Sequence, residues 1–408
     1  MNLESSLSRN KPLKAAVYGS GVSGLLSAYA LVKRGVKVDV VDPYDEHILQ
    51  SLETDDGVVE LAANSILSNG DLDDILEDIE LPALPYSKLG RNKYVCINGK
   101  AKKWPLSFWT TLKSVKVLFS LALKKNSLHP QKSETLDEWG QRCLKPELLN
   151  DLIKPGLQGV YGYDTGQVSA SLALKNLFTT KKKSKFKGSV SFAKGMGAFV
   201  MSLKAYLEKR EVGFLNQLGD EKYDFQIVSS PAHSLPDVVS DANKALLAAV
   251  EYKEISIGTF IIEKNEKLDI EGFGCVFKDQ EEGALGLILN SDLFPRRSKY
   301  GYVSETWIFD GRKVRTQYEM EKAVVKIRKE KFKKATPVKT VYFKNWPKAF
   351  PSYNLELEKT LESLEQKKDK VFFFANWTGD LGIGSMAKAV GPFMDKVLSE
   401  MTSSERSA

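Results

Sequence analysis

Gly19, Gly21 and Gly24 stand in a G-x-G-x-x-G spacing, directly after the apolar run AAVY and at the mouth of a second apolar run. Glycines so spaced suit the holding of a pyrophosphate. Gly19 permits a tight turn, Gly21 lets backbone approach phosphate oxygens, and Gly24 lets a helix pack closely on its strand. The helix start offers N–H groups and a positive dipole end to the anion. Asp42 closes the next apolar run, where a carboxylate accepts hydrogen bonds from ribose hydroxyls; its separation is close to the ~20 residues of the dinucleotide fingerprint. The spacing alone does not choose between a nicotinamide cofactor and FAD.

Such residues work only if strand, turn, helix and strand follow in that order. Residues 15–19 and 36–42 read as strands around a helix from Val22 to Arg34. Residues 72–79 carry a short helical pattern, and 93–104 read as a hairpin turning at Asn98-Gly99. Residues 106–125 place Phe108, Leu112, Val115, Phe119 and Ala122 at helical spacing among lysines. This is the form of a core-facing surface helix, with contact by a basic amphipathic helix at a membrane as the alternative. KKKSKFK (181–187) reads as a solvated basic loop, with a phosphate or membrane role as the alternative. A helix over 197–210, strands over 224–229, 255–262 and 285–290, and a basic helix over 319–334 with solvent-facing lysines follow. Residues 371–375, VFFFA, read as a buried strand, and Ser385–Ser399 as a helix. This second strand–turn–helix can return to the sheet and add a wall to the cofactor site, its helix start facing an electron-rich edge.

The 408 residues are enough for two or three domains. A net charge of +7 is compatible with an anionic cofactor, an acidic substrate or a negative membrane surface. It is too dispersed for nucleic acid, and no nucleic-acid-binding signature is present. Cys96, Cys143 and Cys275 form no C-x-x-C, which fits a reducing compartment. His47, His129 and His233 are scattered, so no metal site is expected. The start of the chain lacks a signal-peptide pattern, and no run approaches the ~18 apolar residues of a membrane span. The expected location is cytoplasmic, compatible with peripheral contact at the inner face of a membrane.

The order of further blocks resembles the flavin-dependent protoporphyrinogen oxidase family, within the FAD-linked amine oxidase superfamily. The blocks are VELAANSILSNGDLDDILEDIEL (59–81), NKYVCINGKAKKWPLS (92–107), LIKPGLQGVYGYDTGQVSASLAL (152–174), SFAKGMGAFVMSL (191–203), LGLILNSDLFPRRS (285–298), KNWPKAFPSYN (344–354) and FFFANWTGDLGIGSMAKAVG (372–391). The resemblance implies an α/β fold: a Rossmann-like FAD-binding domain with an inserted α+β substrate domain. The cofactor domain would comprise 1–88, 191–236 and 344–408, and the substrate domain 89–190 and 237–343. The implied cofactor is FAD. The implied reaction is removal of hydride from a large apolar tetrapyrrole, protoporphyrinogen IX, in heme biosynthesis. No side-chain catalyst is expected, since the cofactor carries such chemistry. By motif, Gly19, Ser20, Gly21, Val22, Ser23 and Gly24 would cradle the pyrophosphate, and Asp42 would hold the ribose. Ala62 and Ala63 would lie beside the flavin, and Leu381, Gly382 and Ile383 would approach its ribityl chain and ring. Lys93, with Arg91 as near alternative, would face a substrate propionate, and Gly162 would border the substrate cavity.

Three departures stand against that pattern. Asp42 is followed by YDEHILQSLETDDG, without the family's arginine–x–glycine–glycine, so His47, Ile48 and Leu49 stand where backbone must come close. Ala62 replaces a glycine. The segment VGFLNQLGDEKY is too short for the family's β-meander, one strand of which contacts adenine. Two alternatives follow: a non-catalytic homologue with weak or no FAD binding that holds a porphyrin or a protein partner, and an FAD oxidase for an amine, a carotenoid or a sugar nucleotide.

Overall fold

A computed structural model of the chain describes residues 12–44, 49–97, 99–104, 128–144, 154, 165–175, 178–179, 182–336, 338–364 and 370–406. The amphipathic segment 106–125, Gly162, Asn98, His47 and Ile48 lie outside these. The chain opens with β1 (Lys14–Tyr18), α1 (Val22–Val32) and β2 (Lys37–Val41). It continues with β3 (Ser51–Thr54), β4 (Gly57–Glu60), β5 (Ile66–Leu67), α2 (Gly70–Asp78) and β6 (Leu84–Pro85). The hairpin β7 (Lys93–Ile97) and β8 (Lys100–Trp104) comes next, then α3 (Leu136–Cys143) and α4 (Ala170–Leu174). The chain returns through β9 (Ser189–Ser191), α5 (Gly197–Glu208), β10 (Gly213–Leu215), β11 (Phe225–Val228) and α6 (Asp241–Leu247). Then follow β12 (Tyr252–Glu263), β13 (Gly274–Phe277), β14 (Ala284–Leu289), α7 (Asn290–Leu293), β15 (Tyr302–Asp310), α8 (Gln317–Ile327) and β16 (Val338–Pro351). The last elements are α9 (Leu355–Ser363), β17 (Val371–Phe373) and α10 (Ile383–Arg406).

Five parallel strands form the first sheet in the order β10-β2-β1-β11-β17. Both faces are covered, so its central strands are short continuous apolar runs rather than alternating ones. Leu25, Leu26, Phe199, Leu203, Val390 and Met394 of α1, α5 and α10 pack one face in a single core. Leu247 and Leu361 of α6 and α9 join the other, around Trp377. Between Leu215 and Phe225 no strand forms, so β10 is the edge strand and the short connection carries no meander.

Seven strands form the second sheet, in the order β16-β12-β15-β14-β13-β7-β8. Its back face alternates Phe260, Trp307, Phe309, Leu287 and Cys275 into a core closed by Met320, Val324 and Ile327 of α8. The expected boundary at 344 falls inside β16, which stays in this sheet to Pro351. β9, inside the stretch expected to change halves near 190, pairs with β5 and β6.

Two basic segments differ from expectation. The α-helix expected over 319–334 ends at Ile327 and passes into a wider turn over Arg328–Phe332. Lys322, Lys326 and Lys329 are exposed as expected, but Arg328 among them is fully buried, donating to both Glu305 oxygens at 2.6 and 2.7 Å. The 181–187 cluster is not simply solvated either. Lys182 pairs with Asp74, and the Ser184 hydroxyl and Lys185 N–H both donate to Asp73 of α2.

Candidate functional site

The strand order reverses direction between β1 and β11, and in open α/β sheets ligands sit outside the carboxyl ends of the strands at such a switch point. Gly19 leaves β1 there with φ +104°, a conformation that L side chains rarely adopt. A Cβ on Gly19 would lie 3.1 Å from the Ser230 nitrogen, and one on Gly24 would lie 1.8 Å from the Gly19 oxygen. These two glycines therefore weld turn, helix and β11 together. Gly21 differs, because a Cβ there would meet nothing within 4 Å.

Helices have four N–H groups at their start without intrahelical partners. Asn69, Thr135, Ser169, Ser240, Thr316 and Asn354 each accept one such bond at the starts of α2, α3, α4, α6, α8 and α9. The start of α5 is served by the Glu60 carboxylate and the Ser51 hydroxyl. By contrast α1 starts on Gly21, which offers no side-chain cap. Ser23 turns its hydroxyl away to the Ser229 carbonyl at 3.1 Å. An uncapped helix start, with open space at Gly21, is a cradle for an anion.

Asp42 lies at this mouth, half-buried at the end of β2. Its Oδ2 accepts from the Ser20 N–H and Ser20 hydroxyl, both at 2.7 Å, and its Oδ1 from the Tyr44 N–H at 3.0 Å. Oδ1 keeps a lone pair for a hydroxyl group.

Val22 sits on the first turn of α1, while Ala62, Ala63 and Asn64 follow β4. Ala62 is not among the residues of positive φ, so replacing glycine there strains no backbone. Leu381, Gly382 and Ile383 enter α10. A Cβ on Gly382 would meet only the Ser385 hydroxyl, at 3.8 Å, whereas one on Gly384 would lie 2.4 Å from the Leu67 oxygen. Asn69 Nδ2 donates to the Gly384 carbonyl at 2.7 Å. The start of α10 is thereby pinned to the segment that follows Ala62–Asn64. Trp377 Nε1 donates to the Ser230 carbonyl at 3.0 Å, tying the same C-terminal loop to the switch point. Buried in that loop, Asp380 accepts from Lys175 at 2.6 Å.

These residues fit a dinucleotide. Ser230 Oγ and Asn64 Oδ1 are buried with no hydrogen-bond partner among the described residues. Orphaned polar atoms of this kind call for explanation in a native protein. One stands at the phosphate cradle, the other beside the stretch expected to face the flavin.

Contacts between the halves bring the second sheet over this site. Trp346 Nε1 donates to the Leu61 carbonyl at 2.7 Å, and Thr259 Oγ1 lies 3.5 Å from the Glu60 carbonyl. Glu60 and Arg297, both buried, pair at 3.0 Å. Loss of water pushes the Glu60 carboxyl up and the Arg297 guanidinium down, each against the pull of its partner. Asp56, in the β3–β4 turn, bonds Lys339 and Thr340 of β16, and the Lys339 ammonium draws its carboxyl below the ordinary range. The sheet face met by Leu61 carries a cross-strand row of Lys344, Ile257, Ile308, Gly286, Val276, Val95 and Lys102. It is an apolar row bounded by a cation at each end.

The structure thus brings Gly19, Ser20, Gly21, Val22, Ser23, Gly24 and Asp42 together, and it links Ala62 and Ala63 through the next residues to Leu381–Ile383. Lys93 and Arg91 are not in that group. Both are exposed, and Lys93 stands four strands from Thr259 in the same cross-strand row, about 19 Å at ~4.8 Å per strand. Sequence reasoning missed Ser230, Asp380, Glu60 and Trp346. The Ser229-Ser230-Pro231 sequence ending a strand was a visible signal for Ser230; nothing local marks the other three as partners. Among the described residues no helix is long and apolar enough to cross a membrane.

No family model matches the chain. The chain is 23% identical to the mitochondrial protoporphyrinogen oxidase of Nicotiana tabacum, over 96% of this chain and 95% of that one. It is 24% identical to protoporphyrinogen oxidase 2, chloroplastic/mitochondrial, of Arabidopsis thaliana, over 96% and 94%. Among solved structures, a provisionally named protoporphyrinogen oxidase from Exiguobacterium superposes with a TM-score of 0.72 at 14% identity, covering 96% of this chain and 99% of that one. A putrescine oxidase variant gives 0.70 at 13%, covering 96% and 100%, and reduced UDP-galactopyranose mutase gives 0.67 at 13%, covering 95% and 94%. At these identities the solved structures speak for the fold.

Proposed function

We propose, from the premise that this chain is a divergent member of the protoporphyrinogen oxidase family, that it holds FAD and removes hydride from a large apolar substrate. The substrate class we propose is a tetrapyrrole such as protoporphyrinogen IX. The uncapped start of α1 at Gly21, open at the switch point, carries the reading.

Bound FAD would supply the hydride-accepting ring. The chain's own residues bind, orient and exclude water. Backbone N–H groups of Gly21, Val22 and Ser23 meet the pyrophosphate, and the remaining Asp42 lone pair accepts a ribose hydroxyl. Ser230 Oγ gains a phosphate or ribityl partner. Ala62, Ala63, Leu381, Gly382 and Ile383 close small apolar surface around the ring. The row from Ile257 to Val276 receives a flat apolar molecule, and Lys344 and Lys102 stand where anionic edges of such a molecule emerge. Lys93 and Arg91 remain assigned to the substrate's carboxylate edge, and Gly162 to the turn beside the substrate cavity, on the family resemblance alone.

The missing meander favours one second reading, a non-catalytic homologue with weak or no FAD binding that holds a porphyrin or a protein partner. One measurement separates the two. Purified protein is given excess FAD, cleared of the unbound fraction, and its visible spectrum recorded. The flavoenzyme reading expects retained flavin bands, lost in Gly21→Asp and reduced in Asp42→Ala. A colourless protein that cannot be reconstituted sinks it. With flavin retained, turnover of protoporphyrinogen IX against amines and sugar nucleotides tests the substrate.

A further inference from the structure

The adenosine end of the site is built differently from the phosphate end. With no meander, β10 is the edge strand, and its last residue, Leu215, accepts the Asp42 N–H at 2.9 Å. Beyond it Asn216 and Gln217 are exposed. Two residues past Asp42 stands Tyr44, one of the exposed large hydrophobic side chains of the described residues, at 66%. Exposure by itself is ordinary, as at Tyr300 and Tyr318; what distinguishes Tyr44 is its place two residues past Asp42. Its backbone is not loose: Pro43 locks the preceding φ, and the Tyr44 N–H is held by Asp42 Oδ1 at 3.0 Å. The backbone that carries the ring is therefore held by the same carboxylate that would hold the ribose. In a nucleotide the base is one glycosidic bond from that ribose, within reach of a side chain two residues on.

We propose that Tyr44 is an adenine-binding residue, its ring stacking on the base and standing in for the contact that a meander strand would make. The inference rests on the proposed FAD site but concerns only its adenosine end. Stacking of a base on an aromatic side chain needs no hydrogen-bond code and tolerates any π-face. The ligand class is therefore an adenine nucleotide, with the ADP half of FAD as the occupant.

The test is calorimetric titration of the full chain, freed of flavin, with FAD, with ADP and with riboflavin, which lacks the adenosine. Tyr44→Ala is expected to weaken FAD and ADP about tenfold, as for loss of one base–aromatic stack, with riboflavin unchanged. Tyr44→Phe keeps the ring and is expected to hold both within about twofold, and Tyr44→Trp to hold them at least as tightly. The side chain is exposed, so thermal melting of each variant is expected to match the parent. FAD and ADP bound equally by Tyr44→Ala and by the parent would overturn the proposal, as would an equal loss of riboflavin. Binding of riboflavin but of neither FAD nor ADP by the parent overturns it while leaving a flavin site. Failure of the parent to bind any of the three overturns the cofactor reading as well.

Discussion

Strand β1 feeds α1 through Gly19, Gly21 and Gly24, and β17 feeds α10 through Gly379, Gly382 and Gly384. The two units divide labour in the same way. The first glycine of each makes the turn, with φ +104° at Gly19 and +101° at Gly379. The middle one fronts open space, and the last is pressed against a backbone oxygen. They differ in whose oxygen that is. Gly24 packs on Gly19 of its own turn, whereas Gly384 packs on Leu67 of β5, far away in sequence. In the first unit the last glycine is fitted to its own turn, and in the second it is fitted to a distant segment. Within one unit, then, adjacent glycines serve unlike ends: one shapes the protein, the other leaves room for a ligand.

Substitution can break that comparison most sharply at the packing glycines. Gly24→Ala places a methyl 1.8 Å from a backbone oxygen, so turn or helix must move. We expect a loss of at least about 3 kcal/mol in denaturant unfolding, with Gly384→Ala smaller at about 2 kcal/mol. Equal and negligible losses would show that the two turns relax freely and that the close approaches are not structural.

The middle glycines give the opposite signature. Gly21 has φ −68° and ψ 179°, which alanine adopts without strain. Gly21→Ala and Gly382→Ala should leave stability unchanged or raise it by about 0.5 kcal/mol, through a less disordered unfolded chain. Both should weaken FAD at least tenfold, about 1.4 kcal/mol, by equilibrium dialysis. Weaker binding at Gly21→Ala alone would confine ligand contact to the first unit.

The smallest effect lies at the joint that holds the halves in register. Lys339 lowers the Asp56 carboxyl in the folded chain. A carboxylate depressed on folding stabilises above its unfolded pKa, near 3.9, and that contribution is lost as pH falls through the folded value. Stability of the parent should therefore fall off below about pH 4, and Asp56→Asn should start lower but show a shallower acid limb. Identical limbs would mean that the Asp56–Lys339 pair is solvent-screened and adds little.

How much of this was legible follows from the same contrast. The G-x-G-x-x-G turn, its flanking strands and Asp42 could be read from sequence because Gly24 on Gly19 and Asp42 on Ser20 are contacts within one stretch of chain, although Ser229 and Ser230 close the turn from afar. The 93–104 hairpin was legible for the same reason. The role of Gly384 was not, because Leu67 supplies its constraint. Glu60 and Arg297 sit in separate blocks, and nothing in either block announces the other. Nothing set Arg328 apart inside its lysine-rich run: the buried Glu305 that holds it lies on β15. The edge position of β10, by contrast, could be anticipated, since a short connection has no residues from which to build more strands.

The pairing order of the parallel sheet also sets a clock. β1 needs β11, and β11 needs β17. During synthesis the first strand therefore waits until more than half the chain has emerged for one neighbour, and that neighbour waits for residues 371–373. The antiparallel strands β12 to β16 lie close together in sequence and can pair while the first sheet is still incomplete. On the FAD reading proposed above, the site is complete only when the last strand and helix are in place, so the cofactor would stabilise finished molecules alone.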